Sequence, residues 1–430
     1  MPIEDRPQAD ESAVGADQTP VVDPKPTDPS DRIRSLDALR GFALLGILVI
    51  NIWLFALPMV SWLNPTLFGD LSGGNYAAWF VSHVFFEQKF VTLFTFLFGA
   101  GIVLFTDSKK KKGQPARRLH VRRTFWLLVI GLGHAYLLWY GDVLVAYAVC
   151  GFILLFVRNW RPKRLLVLGL VMFALPSVLY VSSGIGYIMA DAGTQASIEA
   201  QILAGSGVDQ GSVDAEIDAY RGGWLEQMDH RVPTAVALQT TGFILEGFWI
   251  YGGLIVVGMA LYKSGVLSNR RSTRFYRRLF AGGSITGLTL ILSGVWYREV
   301  VGWETARILL FARQFNYWGS LPLALAYVSG VMLLCRAAPE GYVTTALSAV
   351  GRTAFSNYLL QTVLATTIFY GHGLGLFATL SRAELLGVVV VIWAIQIPLS
   401  VAWLTRFRFG PIEWIWRTLT YGERQPMSVE

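Results

Sequence analysis

Between residues 36 and 405 the chain is a succession of apolar runs, most close to 20 residues long, separated by short polar stretches. A bilayer asks for about 20 apolar residues per spanning helix. In lipid, a segment satisfies its own backbone only as a helix or as part of a closed barrel. The pattern therefore predicts an all-α, polytopic membrane bundle. Its ten spans fall at about 36–58, 88–106, 122–140, 142–158, 164–187, 242–262, 279–297, 308–335, 354–371 and 384–405. Residues 75–87 read as an interfacial or re-entrant piece ahead of the second span.

Charge adds an orientation. The basic loops KKKKGQPARRLHVRR (109–123), RNWRPKR (158–164), NRRSTRFYRR (269–278) and the RFR of 406–408 alternate correctly with ten helices. Cytoplasmic loops are the ones enriched in Lys and Arg, so both termini are expected inside. Residues 188–232 instead carry eight acidic residues against Arg221 and Arg231, and are expected to form an acidic external loop. A short amphipathic helix at 213–224 is expected within it, although a solvated loop without a task is the simpler reading. The organisation follows: a disordered cytoplasmic tail (1–31), a first transmembrane half (32–187), the external loop (188–232), a second half (233–421) and a cytoplasmic tail (422–430). The first tail has no apolar core of a signal peptide.

Composition agrees with the pattern and removes several function classes. The chain is 53% hydrophobic and 15% charged with a mean hydropathy of +0.47, where soluble domains carry about 25% charged residues. The net charge of +7 lies in interhelical loops, so it reports membrane orientation and not a nucleic-acid partner. Cys150 and Cys335 cannot build a disulfide framework or a metal site. No phosphate-binding Walker loop, dinucleotide fingerprint or zinc-protease motif is present.

Chemistry concentrates at a few polar positions. The stretch IRSLDALRGFALLGILVIN (33–51) places Asp37 and Arg40 three apart on one helix surface, and Asn51 eleven residues beyond Arg40, about 16 Å deeper on the same face. Such a stripe fits a cavity or pathway, because polar groups in a bilayer are expensive. A helix cap plus one interhelical hydrogen bond fits equally well. His134 and Asp142 flank the tight turn at Tyr140 and Gly141, where a carboxylate can orient a histidine as general base. His83 and Glu87, four apart, form a second candidate dyad. Lys89 is suited to hold an oxyanion or an anionic acceptor, or to snorkel at the interface. Arg352, Asn357, Tyr358 and Gln361 open the ninth span, and Arg406, Arg408, Glu413, Trp414, Trp416 and Arg417 follow the tenth. Arginines there suit a phosphorylated nucleotide such as coenzyme A, and positive-inside anchoring explains them equally well. Tyr140, Asn357 and Gln361 are the candidate substrate contacts.

These segments carry a resemblance. The Asp-x-x-Arg-Gly entry with Asn51 eleven residues after the Arg resembles the first helix of the transmembrane acyltransferase superfamily, which includes the acyltransferase-3 proteins and heparan-α-glucosaminide acetyltransferase. NIWLFALPMVSWLNP (51–65), KFVTLFTFLFGAG (89–101), HAYLLWYGDVLVAYAVCG (134–151), GRTAFSNYLLQT (351–362) and GPIEWIWRTLT (410–420) are similar to the bacterial YeiB-like membrane proteins with their C-terminal domain of unknown function 418. The resemblance implies transfer of an acyl group, with acetyl-CoA the expected donor, from cytoplasmic acyl-CoA to a hydroxyl or amine of an external small-molecule or glycan acceptor. It places the CoA beside Asp37 and Arg40, where Arg352 and Arg417 are the further candidates by their charge, and puts His134, Asp142, Asn51 and Lys89 at the reacting end. It implies no metal and a bacterial inner-membrane location, and leaves a homo-oligomer open. The lysosomal enzyme has an external His soon after its first helix, whereas Trp53 to Leu63 contains none here. Two other classes stay open: a transporter of a small polar solute, and a structural partner in an envelope complex.

Overall fold

The computed structural model describes residues 33–205 and 210–429, so the tail expected at 1–31 lies outside the described residues. Helices α1 (Arg34–Ala56), α2 (Gly73–Val81), α3 (Lys89–Lys111), α4 (Ala116–Leu137), α5 (Leu144–Leu154) and α6 (Pro162–Met189) form the first half. Next come α7 (Ala192–Gly205), α8 (Gln210–Arg221), α9 (Met228–Ala237), α10 (Phe248–Lys263), α11 (Thr273–Val300) and α12 (Arg313–Ala337). The chain closes with α13 (Tyr342–Arg352), α14 (Ala354–Phe369), α15 (Arg382–Arg406) and α16 (Pro411–Tyr421). No strand occurs among the described residues.

Among the described residues, seven helical stretches are long and apolar enough to cross a membrane: α1, 73–111, α6, 228–263, α11, 305–337 and α15. Helices α4, α5 and α14 stand where the other three spans are expected. The first of these starts among charged residues, and the other two have 11 and 16 residues. The protein is an all-α membrane-type bundle.

Helix α1 is its axis. Apart from Asp37, Arg40, Asn51 and its first two residues it is apolar around its length, as a helix must be when protein surrounds it, and it packs against α3, α12, α13, α14 and α15. Small residues allow the closest approach, a recurrent device between membrane helices. Gly41 faces the Leu347 carbonyl and Gly351 faces the Asp37 carbonyl, with no room for a Cβ at either. This contact sets the height of Asp37 and Arg40 relative to Arg352.

Three differences from the expected pattern matter for the site. The stretch 75–87 is helix α2 followed by a π-helical turn (Ser82–Phe86), and Gln88 adopts φ 66° to redirect the chain into α3. Helix α4 begins at Ala116, so much of the basic loop 109–123 is helical and His120 enters the interior. The acidic segment is also less solvated than expected: α8 buries Val213, Glu216 and Tyr220 against the bundle end. At the other end the last residues fold back, with the Arg408 amide donating to the Met427 carbonyl at 2.8 Å.

Candidate functional site

At the end of the bundle that carries the basic loops, residues of α1, α3, α4, α5, α10, α13, α14 and α16 enclose a cavity of about 870 Å³. Arg40, Lys111, Lys112, Arg123, Lys263, Arg270, Arg352 and Arg417 line it, against the carboxylates Asp37, Asp107 and Glu413. Eight cations facing three anions in a low-dielectric recess focus a positive potential that attracts polyanions. Phe94, Phe98, Phe105, Phe355 and Trp416 supply apolar wall, and the recess extends to Leu144, Tyr147 and Tyr358.

The mouth is held by specific contacts. Arg40 donates to Asp37 at 2.7 Å, one turn apart on α1, as their spacing requires. The Arg123 guanidinium lies 4.3 Å from the Trp416 ring centre, and that indole donates to the Arg123 carbonyl at 2.8 Å. Glu413 reaches from α16 to the start of α14, where it accepts the Phe355 amide at 2.6 Å and the Ser356 hydroxyl at 2.5 Å. A carboxylate at a helix N-terminus satisfies orphan amides and the helix dipole. Burial still pushes its pKa up from the ordinary carboxylate value.

His120, in the cavity wall, donates from Nε2 to the Gly151 carbonyl at 3.1 Å. That bond leaves Nδ1 as an acceptor, and it is buried without a partner. Its position inside a basic run gave no hint of this in the sequence.

Beyond Tyr358 lies the expected dyad. His134 Nδ1 meets Asp142 Oδ2 at 2.7 Å, and Asp142 Oδ1 accepts the Val145 amide at 2.8 Å, which fixes the carboxylate. Nε2 of His134 meets the hydroxyl of Thr362 at 2.9 Å. With Nδ1–H donating to the carboxylate, Nε2 holds the lone pair, and the threonine donates to it at 2.9 Å in preference to the Tyr358 carbonyl at 3.4 Å. Thr362 comes from α14, 228 residues away, and nothing local in the sequence points to it. The His134 ring centre is 5.1 Å from that of Tyr358, so one residue joins dyad and cavity.

The second dyad forms a different cluster. His83 Nδ1 meets Glu87 at 2.5 Å, and Arg298 donates to its Nε2 at 3.2 Å, so the ring has no lone pair left for a substrate proton. Lys89 is fully buried and donates to the His83 carbonyl and to Asn316. Asn51 is half-buried with no side-chain hydrogen bond and does not line the cavity. Neither Lys89 nor Asn51 is hydrogen-bonded to the His134 dyad. Tyr140 donates to the Leu54 carbonyl at 3.3 Å. Asn357 donates to Thr353 and Ser400, and Gln361 donates to Gln396 at 3.0 Å, tying α14 to α15. Arg406 and Arg408 lie outside the cavity lining, whereas Arg352 and Arg417 belong to it. Among the described residues no group of His, Cys, Asp and Glu could hold a metal ion.

Residues 261–423 match the family described as protein of unknown function DUF418. Over 417 residues the chain is 32% identical to the uncharacterized protein YxaH of Bacillus subtilis, covering 94% of this chain and 98% of that one. It is 32% identical over 397 residues to the uncharacterized protein YeiB of Escherichia coli, covering 91% and 96% respectively. A Bacillus acidopullulyticus 39.9 kDa protein from the amylase 3′ region is 26% identical over 409 residues, covering 93% and 97%. The chain belongs to this YeiB-like family of multi-pass membrane proteins.

Proposed function

We propose that the chain is a membrane acyltransferase that binds a cytoplasmic acyl-CoA, with acetyl-CoA the expected donor, and passes its acyl group to a hydroxyl or amine. The observation that carries the reading is the continuity of a cationic, aromatic-walled cavity with a buried Asp–His pair through Tyr358. Small-molecule sites of about 300–1,000 Å³ are typical, with a few placed polar groups in an apolar lining. The nucleotide phosphates would engage Arg40, Arg352 and Arg417, since guanidinium pairs with phosphate through two parallel hydrogen bonds. The thin pantetheine arm would run between Phe94, Phe98 and Tyr147. His134, oriented by Asp142, would take the proton of the attacking group and return it to the departing one. The resemblance of the first helix to the transmembrane acyltransferase superfamily supports the same reading. In it, both termini face the cytoplasm of a bacterial cell and the acceptor reaches the site from the opposite face.

The test is binding of acetyl-CoA to purified protein by calorimetry, followed by release of free CoA on adding candidate acceptors. Micromolar binding that falls at least tenfold in Arg40→Ala is expected. Absence of binding to any short-chain acyl-CoA would sink the reading. Accumulation of an unmodified solute in sealed vesicles would replace it with transport.

A further inference from the structure

We propose that Thr362 is the nucleophile of this site, holding the acyl group as an ester before the acceptor arrives. The proposal rests on the acyltransferase reading above and adds a covalent intermediate to it.

Asp142, His134 and Thr362 form a continuous relay, 2.7 Å and then 2.9 Å, in the order carboxylate, imidazole, hydroxyl. A hydroxyl is a weak nucleophile until an adjacent base takes its proton, and the base in turn needs a third group to fix its tautomer. The three roles are filled by side chains from helix α4, the turn that follows it and helix α14. A threonine needed only to hold the imidazole would be one polar contact among many. Two further observations point to chemistry.

First, the rings flanking His134 carry hydrogen-bond donors that donate to nothing. Tyr358 and Trp139 have ring centres 5.1 Å and 6.3 Å from that of His134; the Trp139 indole N–H is buried without a partner, and the Tyr358 hydroxyl has the Val143 amide beside its oxygen but no acceptor for its proton. Idle donors also occur elsewhere in the bundle, at Trp53, Tyr220 and Tyr370, but these two flank one imidazole, and that placement calls for a reason. An oxyanion that exists only during acyl transfer would supply it, because preorganised donors aimed at developing charge cost no reorganisation. Stacking on Phe55, with ring centres 4.0 Å apart, holds the Trp139 ring in place. Second, Tyr358 precedes Thr362 by one helical turn and lines the cavity, so the hydroxyl stands one turn beyond the recess that would carry the thioester.

The steps balance. His134 Nε2 takes the Thr362 proton as Oγ1 bonds to the thioester carbonyl carbon, and the carbonyl oxygen becomes the oxyanion. That oxyanion collapses, the carbon–sulfur bond breaks, and the thiolate leaves as free CoA with the proton from Nε2–H. An acceptor hydroxyl or amine then gives its proton to Nε2 and bonds to the ester carbon. The Thr362 oxygen departs and recovers the proton.

The experiment incubates full-length purified protein with acetyl-CoA labelled in the acetyl group, without acceptor, and follows CoA release and protein-bound label. Wild type is expected to release one equivalent of CoA and to keep the label on the tryptic peptide 353–382, at Thr362. Thr362→Ser is expected to keep both. Thr362→Val is expected to lose both while it still unfolds cooperatively, at a modestly lower temperature, and keeps wild-type acetyl-CoA affinity, which shows that it is folded and loaded. With hydroxylamine as surrogate acceptor, turnover by Thr362→Val should fall by several orders of magnitude. Turnover near the wild-type rate in that variant, or label on another residue, overturns the nucleophile and leaves acyl transfer standing. Failure of wild type to bind acetyl-CoA overturns both.

Discussion

Glu413 closes a helix to which it does not belong: its carboxylate accepts the Ser356 hydroxyl at 2.5 Å, 57 residues away in sequence. The same group accepts the amides of Phe355 and Ser356. It therefore fastens α16, which carries Trp416 and Arg417, to the first turn of α14. Glu413→Ala should remove a cap worth about 1–2 kcal/mol and loosen one wall of the cavity. Thermal unfolding in detergent should shift downward, and acetyl-CoA affinity should fall with it. Glu413→Gln, which keeps one acceptor, should fall between. A large loss of affinity at unchanged stability would mean that Glu413 contacts the ligand directly.

The approach of α1 to α13 makes a sharper steric prediction. In an exposed helix Gly→Ala gains up to about 1 kcal/mol, but at Gly351 the new methyl meets the Asp37 carbonyl of a neighbouring backbone. Backbone cannot rotate aside, so Gly351→Ala should instead cost about 1–3 kcal/mol, as overpacking does. The strain displaces Arg352 from Asp37 and Arg40, and nucleotide affinity should fall. Gly282→Ala, where nothing lies within 4 Å, serves as control and should be neutral or stabilising.

These two contacts mark what the sequence could and could not reveal. The Asp37–Arg40 pair and the His134–Asp142 dyad were legible because helix periodicity or a tight turn brings the partners together locally. Apolar run length identified the bundle for the same reason. Thr362, Glu413 and His120 were not legible. Thr362 and Glu413 act across 228 and 57 residues, and no periodicity encodes which helix packs on which. His120 was hidden because a run of Lys and Arg reads as a solvated loop, although α4 already begins at Ala116. Glu216 was one acid among eight until the packing of α8 singled it out. Asn51 lies on α1 beyond Asp37 and Arg40, yet the cavity does not extend that far along the helix.

The amide ladder of α14 and α15 separates structural from substrate-binding roles. Gln361 donates to Gln396, and Gln396 donates to the Asn357 carbonyl at 2.9 Å. Hydrogen bonds between membrane helices average about 0.6 kcal/mol and reach about 1.7. Gln361→Leu should therefore lower stability modestly by leaving Gln396 Oε1 unpaired. The double variant with Gln396→Leu should cost less than the sum of the singles. Acetyl-CoA affinity should not move in either, because neither residue lines the cavity. A specific loss of affinity in Gln361→Leu would restore it as a substrate contact.

At the opposite end, Glu216 should make the docking of α8 depend on pH. Its carboxylate accepts the Met59 amide at 3.1 Å and lies 3.7 Å from His230 Nε2. Burial outweighs the amide bond and pushes its pKa from 4.5 up to about 7. The docked state thus binds a proton more tightly than the undocked one. Its contribution is full below about pH 4.5 and is lost as pH rises through about 7. Tyr140, Tyr220 and Tyr370 also face this carboxylate, and phenols titrate far above this window. Between about pH 5.5 and pH 8 the loss amounts to roughly 2 kcal/mol. Hydrogen exchange of 210–221, corrected for intrinsic rates, should accelerate by an order of magnitude over that range. Glu216→Gln should flatten the profile, and His230→Phe, which removes the other titrating neighbour, should preserve it. Protection that instead increases toward alkaline pH would show that the docked carboxylate is held ionised, by a partner such as His230, and would reverse the sign of the coupling.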